Sequence, residues 1–262
     1  MIDAFEVTVT LGRRRVLDGV SFRAAPGKLT AIVGPNGSGK TTLLRAITGD
    51  LGYRGRITLG GEELSDIPAW RLALRRAVLA QFTPLAFPFT VAEVVRLGQI
   101  RKTAAGAPDL TSRALARVGL TGYAGRPYQE LSGGEQQRVQ LARVLCQVWE
   151  PVEGDEARWL FLDEPVSSLD IAHQLQVMQI ARDFADAGGG VVAILHDLNL
   201  TAMFADNVAL LAEGRLLEQG SAAALLRDDL LSRAYGCTLR VSTPPSSVPY
   251  VLPHSAQLGD GR

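Results

Sequence analysis

The chain has 262 residues, with 27 Lys and Arg balanced by 27 Asp and Glu, 47% hydrophobic residues and 6% aromatic ones. That balance supplies a full-sized core and excludes disorder over most of the chain, while a net charge of zero excludes a general electrostatic nucleic-acid binder, which needs surplus cations. Cys146 and Cys237 are too few for a disulfide framework and lack metal-ligand spacing, residues 1–6 have no secretory h-region, and no apolar run nears the ~20 residues of a membrane span.

Residues 5–10 and 16–23 predict two strands around a basic turn at 12–15. Residues 29–33 predict a short buried strand between glycines, and 40–48 a helix. Further strands are expected at 56–59 and 77–81. From Thr90 to about Trp149 the period turns helical. Val91, Val94, Val95 and Gly98 share one face, and Val139, Ala142, Cys146 and Trp149 another. Strand–helix alternation then returns, with a strand at 159–162, a helix stripe of Ile171, Leu175, Met178, Ala181 and Ala185, a strand at 191–195, and a closing strand at 208–211 followed by Leu216 and Leu217. Short apolar strands alternating with amphipathic helices predict an α/β fold, a mostly parallel sheet covered on both faces. The helical block between Gln81 and Trp159 reads as an insertion. The Pro-rich stretch 242–262 reads as an extended arm.

Gly34-Pro35-Asn36-Gly37-Ser38-Gly39-Lys40-Thr41 fits G-x-x-x-x-G-K-[ST] and lies between a predicted strand and a predicted helix. Glycines let the backbone wrap a β-phosphate, and the helix start adds free N–H groups and a positive dipole end. In this pattern Lys40 reaches the β- and γ-phosphates, the Thr41 hydroxyl takes Mg2+, and Thr42 completes the cradle. The apolar strand Leu160-Phe161-Leu162 ends in Asp163 and Glu164. Asp163 is placed to hold Mg2+, and Glu164 to polarise the water attacking the γ-phosphate. A second glycine turn, Leu131-Ser132-Gly133-Gly134-Glu135-Gln136, opens a helix with Ser132 as N-cap and Glu135 three residues on.

In this order the P-loop, the Leu-Ser-Gly-Gly-Glu-Gln segment and the strand ending Asp163-Glu164-Pro165 resemble the ATP-binding-cassette family, from the N-terminus to about Leu239. The resemblance implies a P-loop NTPase core of ABC type with an N-terminal antiparallel β subdomain and an inserted helical signature subdomain at about 82–150. It implies a nucleotide-binding domain at 1–239, a tail at 240–262, and ATP with Mg2+ as ligands. Gln81 matches the Q-loop glutamine, a ligand of Mg2+ and water. Ser168-Leu169-Asp170 matches the D-loop, and His196 the switch histidine that contacts the γ-phosphate. His173 and His254 have no such context and read as surface residues. Ser132, Gly133, Gly134 and Gln136 match signature positions that touch ATP held by the other protomer, which implies a head-to-tail homodimer around two ATP molecules. Leu11 stands where the family carries an aromatic ring on adenine, a loss of ~1 kcal/mol of stacking. Val166 after Pro165 is unusual but touches neither phosphate nor metal in the family pattern.

The segment at 83–95, with its Phe87-Pro88-Phe89-Thr90-Val91 run, and the segment at 196–202 resemble importers of iron chelates, haem and cobalamin. An acidic stretch with Glu150, Glu153, Asp155 and Glu156, and the end Pro249-Tyr250-Val251-Leu252-Pro253, are similar to the ATP-binding subunits of bacterial haem (hemin) importers. The resemblance implies a peripheral ATPase on the cytoplasmic face of the inner membrane, touching the membrane only through two permease subunits. A periplasmic haem-binding protein would be an indirect partner, and no nucleic acid is expected. The same role in a ferric-siderophore or cobalamin importer stays open, as does a soluble non-transport cassette. Against a soluble cassette stands the lack of a tandem cassette or coiled-coil insertion, and against a non-catalytic regulatory or scaffold ATPase stand the intact Glu164 and His196.

Overall fold

A computed structural model describes residues 1–81, 87–100 and 109–256. β1 (Ile2–Leu11) and β2 (Arg14–Ala24) form a long antiparallel hairpin. After β3 (Leu29–Val33) and α1 (Lys40–Ile47), β4 (Arg54–Leu59) and β5 (Glu62–Glu63) complete a sheet of order β2-β1-β4-β5. This is the expected N-terminal antiparallel layer. β1 is longer than expected because its alternation changes phase. Ile2 and Ala4 face the core, then Val7 and Val9, with a register shift between Ala4 and Val7 and Glu6 at φ 49°. A bulge inserts one residue and flips the in–out pattern, which broke the period that defined residues 5–10.

α2 (Ala69–Arg75) leads into β6 (Arg76–Leu79). The described helices of the insert are α3 (Val91–Arg96), α4 (Leu110–Arg117) and α5 (Gly133–Gln147). Gly98, just past α3, lies so close to α5 that a Cβ would sit 1.9 Å from the Arg143 carbonyl oxygen. Trp149 follows α5, half-buried, with the Arg113 guanidinium 4.9 Å over its ring. The acidic stretch is a small hairpin, β7 (Val152–Glu153) and β8 (Glu156–Ala157), turned at Gly154 with φ 60°. Arg158–Glu153 at 2.5 Å and Arg75–Glu156 at 3.3 Å clasp it to the body.

β9 (Trp159–Asp163), α6 (Ile171–Asp186), β10 (Gly190–Ile194), α7 (Leu198–Phe204), β11 (Asn207–Ala212), β12 (Arg215–Gly220), α8 (Ala222–Leu225) and α9 (Asp228–Tyr235) complete the series. The second sheet has the order β12-β11-β3-β10-β9-β6, parallel except for the β11–β12 hairpin. Its strands alternate between two cores. Leu160, Leu162, Val191 and Ala193 join the helical side, whereas Trp159, Phe161, Val192 and Ile194 join α1 and the antiparallel sheet. Burial on both faces explains their unbroken apolar runs. Ile171, expected in the buried stripe of α6, is 52% exposed at the first turn. Beyond α9 the described tail has no regular element except a 3-10 turn at Pro253–Ser255, which lies against α7.

Candidate nucleotide site

The strand order brings four strand ends together. β3, β10, β9 and β6 are parallel neighbours, and the loops at their C-terminal ends carry the P-loop, His196, Glu164 and Gln81. This edge is where open parallel sheets receive ligands, because the helices leave it uncovered.

The P-loop turns on glycine. Gly34 has φ 144°, and a Cβ there would sit 1.9 Å from the Leu211 carbonyl oxygen. Gly39, at φ 102°, would meet Leu17 Cδ2 at 2.7 Å. Gly39 caps α1 with no side-chain bond, leaving first-turn N–H groups for an anion. The β11–β12 turn braces the loop through Gly214 N–H to the Ser38 carbonyl, 3.1 Å. Lys40 is buried and donates to the carbonyls of Gly34 (2.9 Å) and Pro35 (3.0 Å). Burial pulls its ammonium below the ordinary lysine value, against the attraction of Glu164 and Asp163. Ser38 Oγ is buried with no hydrogen-bond partner among the described residues. A cation folded onto carbonyls and an unmatched hydroxyl fit a phosphate group.

Asp163 ends β9, 5% exposed, and accepts from the Thr41 hydroxyl at 3.3 Å. Burial pushes its carboxyl up, the Thr41 bond opposes, Glu164 adds to the rise and Lys40 lowers it. A buried carboxylate that resists ionising alone gains from a cation beside it. Asp163, the Thr41 hydroxyl and the Gln81 side chain form an all-oxygen donor set suited to a hard divalent ion.

Glu164 adopts φ 52°, the left-handed region. Its carbonyl accepts from Gln137 Nε2 (3.1 Å) and Ser167 Oγ (3.2 Å). Its carboxylate accepts from Gln81 Nε2 at 2.7 Å and lies 2.6 Å from His196 Nε2. Gln137 was not singled out from the sequence. It lies on the first turns of α5, and a polar side chain at the start of an otherwise apolar-faced helix was the available signal.

Gly39, Lys40, Thr41, Gln81, Glu164 and His196 line a cavity of about 580 Å3, together with Asn36, Gly37, Thr42 and, from β2, Arg14 and Val16, and Asp163 lies buried behind Thr41. Pro35 and Ser38 belong to an adjoining recess. Leu11 is not in the lining. It pairs with Arg14 at the hairpin end and is 47% exposed. Arg14 and Val16 were read only as parts of a basic turn and a strand. Their i, i+2 spacing, which puts both on one face of β2, was the missed signal.

The signature residues lie away from this cavity. Ser132 caps α5 in a capping box with Glu135, and Gln136 Nε2 donates to the carbonyls of Leu131 (3.1 Å) and Tyr128 (3.3 Å). A Cβ on Gly134 would lie 3.2 Å from Leu169 Cδ2, whereas Gly133 faces open space. Asp170 caps α6 and pairs with His173 at 2.9 Å, so His173 is half-buried and partnered rather than a plain surface residue. His254 is exposed on the tail. Of the apolar run at 83–95, residues 83–86 lie outside the described residues. Phe87 is 67% exposed and meets Phe89 edge-on, ring centres 6.1 Å apart.

The sequence matches the family described as ABC transporter over residues 17–167. It is 60% identical over 262 residues to the hemin import ATP-binding protein HmuV of Jannaschia sp., covering 100% of this chain and 97% of that protein. It is 60% identical over 256 residues to the protein of the same name from Roseobacter denitrificans (97% and 98% covered), and 52% over 262 residues to that of Rhizobium meliloti (98% and 100%). Among solved structures it superposes on an ATP-binding cassette of an ABC transporter in its ADP conformation with a TM-score of 0.75 at 22% identity, covering 89% of this chain and 97% of that one. A bacterial Atm1-family ABC exporter with ATP bound gives 0.74 at 29% identity, covering 87% and 40%.

Proposed function

The chain belongs to the ABC transporter family, and on that premise we propose that it is the ATP-hydrolysing subunit of a bacterial haem importer, acting as a homodimer beneath two permease subunits. The observation that carries this is the meeting of Lys40, Thr41, Gln81, Glu164 and His196 in one cavity, with Asp163 bonded to Thr41 behind it, in a chain 60% identical to hemin import ATP-binding proteins.

On ATP binding, Lys40 exchanges its two carbonyl acceptors for β- and γ-phosphate oxygens, a charge-assisted replacement. Mg2+, when bound by Thr41, Asp163 and Gln81, supplies charge neutralisation on those phosphates. In the single chain Glu164 is engaged on both carboxylate oxygens, one by Gln81 and the other by His196. Both oxygens are thus turned toward side chains rather than toward a water. Catalysis therefore needs Gln81 and His196 to leave Glu164 for the nucleotide, so that Glu164 can take a proton from the attacking water. Ser132, Gly133 and Gly134 lie outside their own chain's cavity, and a head-to-tail partner would bring them over the γ-phosphate.

On the same reading the nucleotide-binding domain spans 1–239 and the tail 240–262. The bond from Leu239 N–H to Ser232 Oγ (2.9 Å) supports that division, and Val241 N–H to Asp228 Oδ1 (2.7 Å) ties the start of the tail back to α9. Exposed Phe87 beside the capping box at Thr90 offers an apolar seat for a permease helix. No helix among the described residues is long and apolar enough to cross a membrane, which suits attachment to the cytoplasmic face of the inner membrane through the permease. The test is ATP hydrolysis in vesicles holding the cognate permease. Haem-loaded binding protein is expected to stimulate it. Stimulation only by a cobalamin- or siderophore-loaded protein would overturn the cargo and leave the importer intact.

A further inference from the structure

One wall of the nucleotide cavity is not supplied by the P-loop or the strand ends, and Arg14 stands in it. The β1–β2 register pairs Leu11 with Arg14 across the turn, where Gly12 has φ 60°. Leu11 stays outside the cavity, whereas Arg14 and Val16 line it. No Phe, Tyr or Trp lines it among the described residues. The three consecutive arginines differ in their partners. Arg15 bonds Asp18 Oδ1 at 2.8 Å, and Arg215 takes Asp18 Oδ2 at 2.6 Å, so both oxygens of that carboxylate are used. The Arg14 side chain makes no ion pair or hydrogen bond with the described residues.

We propose that Arg14 is the platform on which the purine ring of ATP stacks, with Val16 as its apolar neighbour. This rests on reading the cavity as the ATP site. A guanidinium is planar, weakly hydrated and always charged, and it stacks on π faces as a leucine cannot. Its place favours the base over the phosphates. Arg14 lines the cavity and also the recess it shares with Asn36, Gly37 and Glu213, which holds none of Gln81, Asp163, Glu164 or His196, so its wall extends away from the strand-end carboxylates. No carboxylate among the described residues holds the guanidinium, so a stacked base would not have to displace one there.

The experiment compares equilibrium binding of ADP and of inorganic tripolyphosphate to the full chain, in the wild type and in Arg14→Ala, Arg14→Lys and Arg14→Trp. Arg14→Ala is expected to weaken ADP roughly tenfold, in line with a cation–π or stacking contact, and to leave tripolyphosphate unchanged. Arg14→Trp is expected to restore ADP binding, because it supplies a π face, and Arg14→Lys to remain weak. Equal losses for both ligands, or rescue by Lys and not by Trp, would make Arg14 a phosphate contact and overturn the proposal, as would unchanged ADP binding in Arg14→Ala. Lys40→Ala is the separate control. If it bound ADP like the wild type, the cavity assignment itself would fall, and the role of Arg14 with it.

Discussion

At Glu164 the backbone holds φ 52°, which costs a residue with a Cβ of order 1–3 kcal/mol. The cost is offset by bonds from Gln137 and Ser167 to its carbonyl, which aim the side chain at the mouth of the β9–β10 edge. Glu164→Gln keeps the shape and removes the base. ATP hydrolysis, followed as phosphate release, is expected to fall roughly 100-fold or more, the range of a lost general base, while equilibrium ATP binding persists. A variant with the normal rate would show that another group takes the proton.

Among the elements, β3, β11 and α6 meet at Asp206. Its Oδ2 accepts from the Leu29 N–H (2.9 Å) and Arg182 Nη1 (2.5 Å), and its Oδ1 from Lys28 Nζ (3.1 Å). Burial would raise its carboxyl, but the bonds from Arg182, Leu29 and Lys28 outweigh it and hold the carboxyl below the ordinary 3.8. A depressed acid stabilises the fold in full above its unfolded value and loses that stability as pH falls through the folded one. Asp206→Asn is therefore expected to cost about 1 kcal/mol at neutral pH, allowing for solvent screening. The gap from the wild type, measured by denaturant unfolding, should narrow below pH 3.8. A gap constant down to pH 2 would place the stabilisation elsewhere. The bond to Leu29 N–H also fixes where β3 starts, five residues before the P-loop.

The whole molecule holds a P-loop cavity and a signature turn that do not meet within one chain. A Ser132→Arg chain keeps its P-loop, and a Lys40→Ala chain keeps its signature. Each homodimer should be inactive. A mixed dimer should assemble one intact composite site and trap one ATP, counted by bound nucleotide per dimer. Finding none in a mixed dimer that forms would exclude the head-to-tail arrangement.

The make-up of the candidate site was legible in the sequence because it depends on residue types at fixed local spacing. Gly34, Gly37 and Gly39 carry the left-handed angles that the loop needs, Lys40 and Thr41 open the helix that follows it, and Asp163 and Glu164 sit at a strand end that the apolar run already marked. The parallel strands were equally plain, since burial on both faces leaves unbroken Val, Ile and Leu. The β7–β8 hairpin was not, because its partners Arg75 and Arg158 come from distant or unmarked positions and its composition reads as loop. Ile171 misled because a helix period continues past the point where the first turn leaves the core. Local sequence thus determined which groups could hold phosphate, metal and proton. Only the tertiary structure decided that Gln81 and His196 close on Glu164, that Gln137 fixes its carbonyl and that Arg14 rather than Leu11 enters the cavity, because strand order and hairpin register bring together residues far apart in the chain, Arg14 and His196 among them.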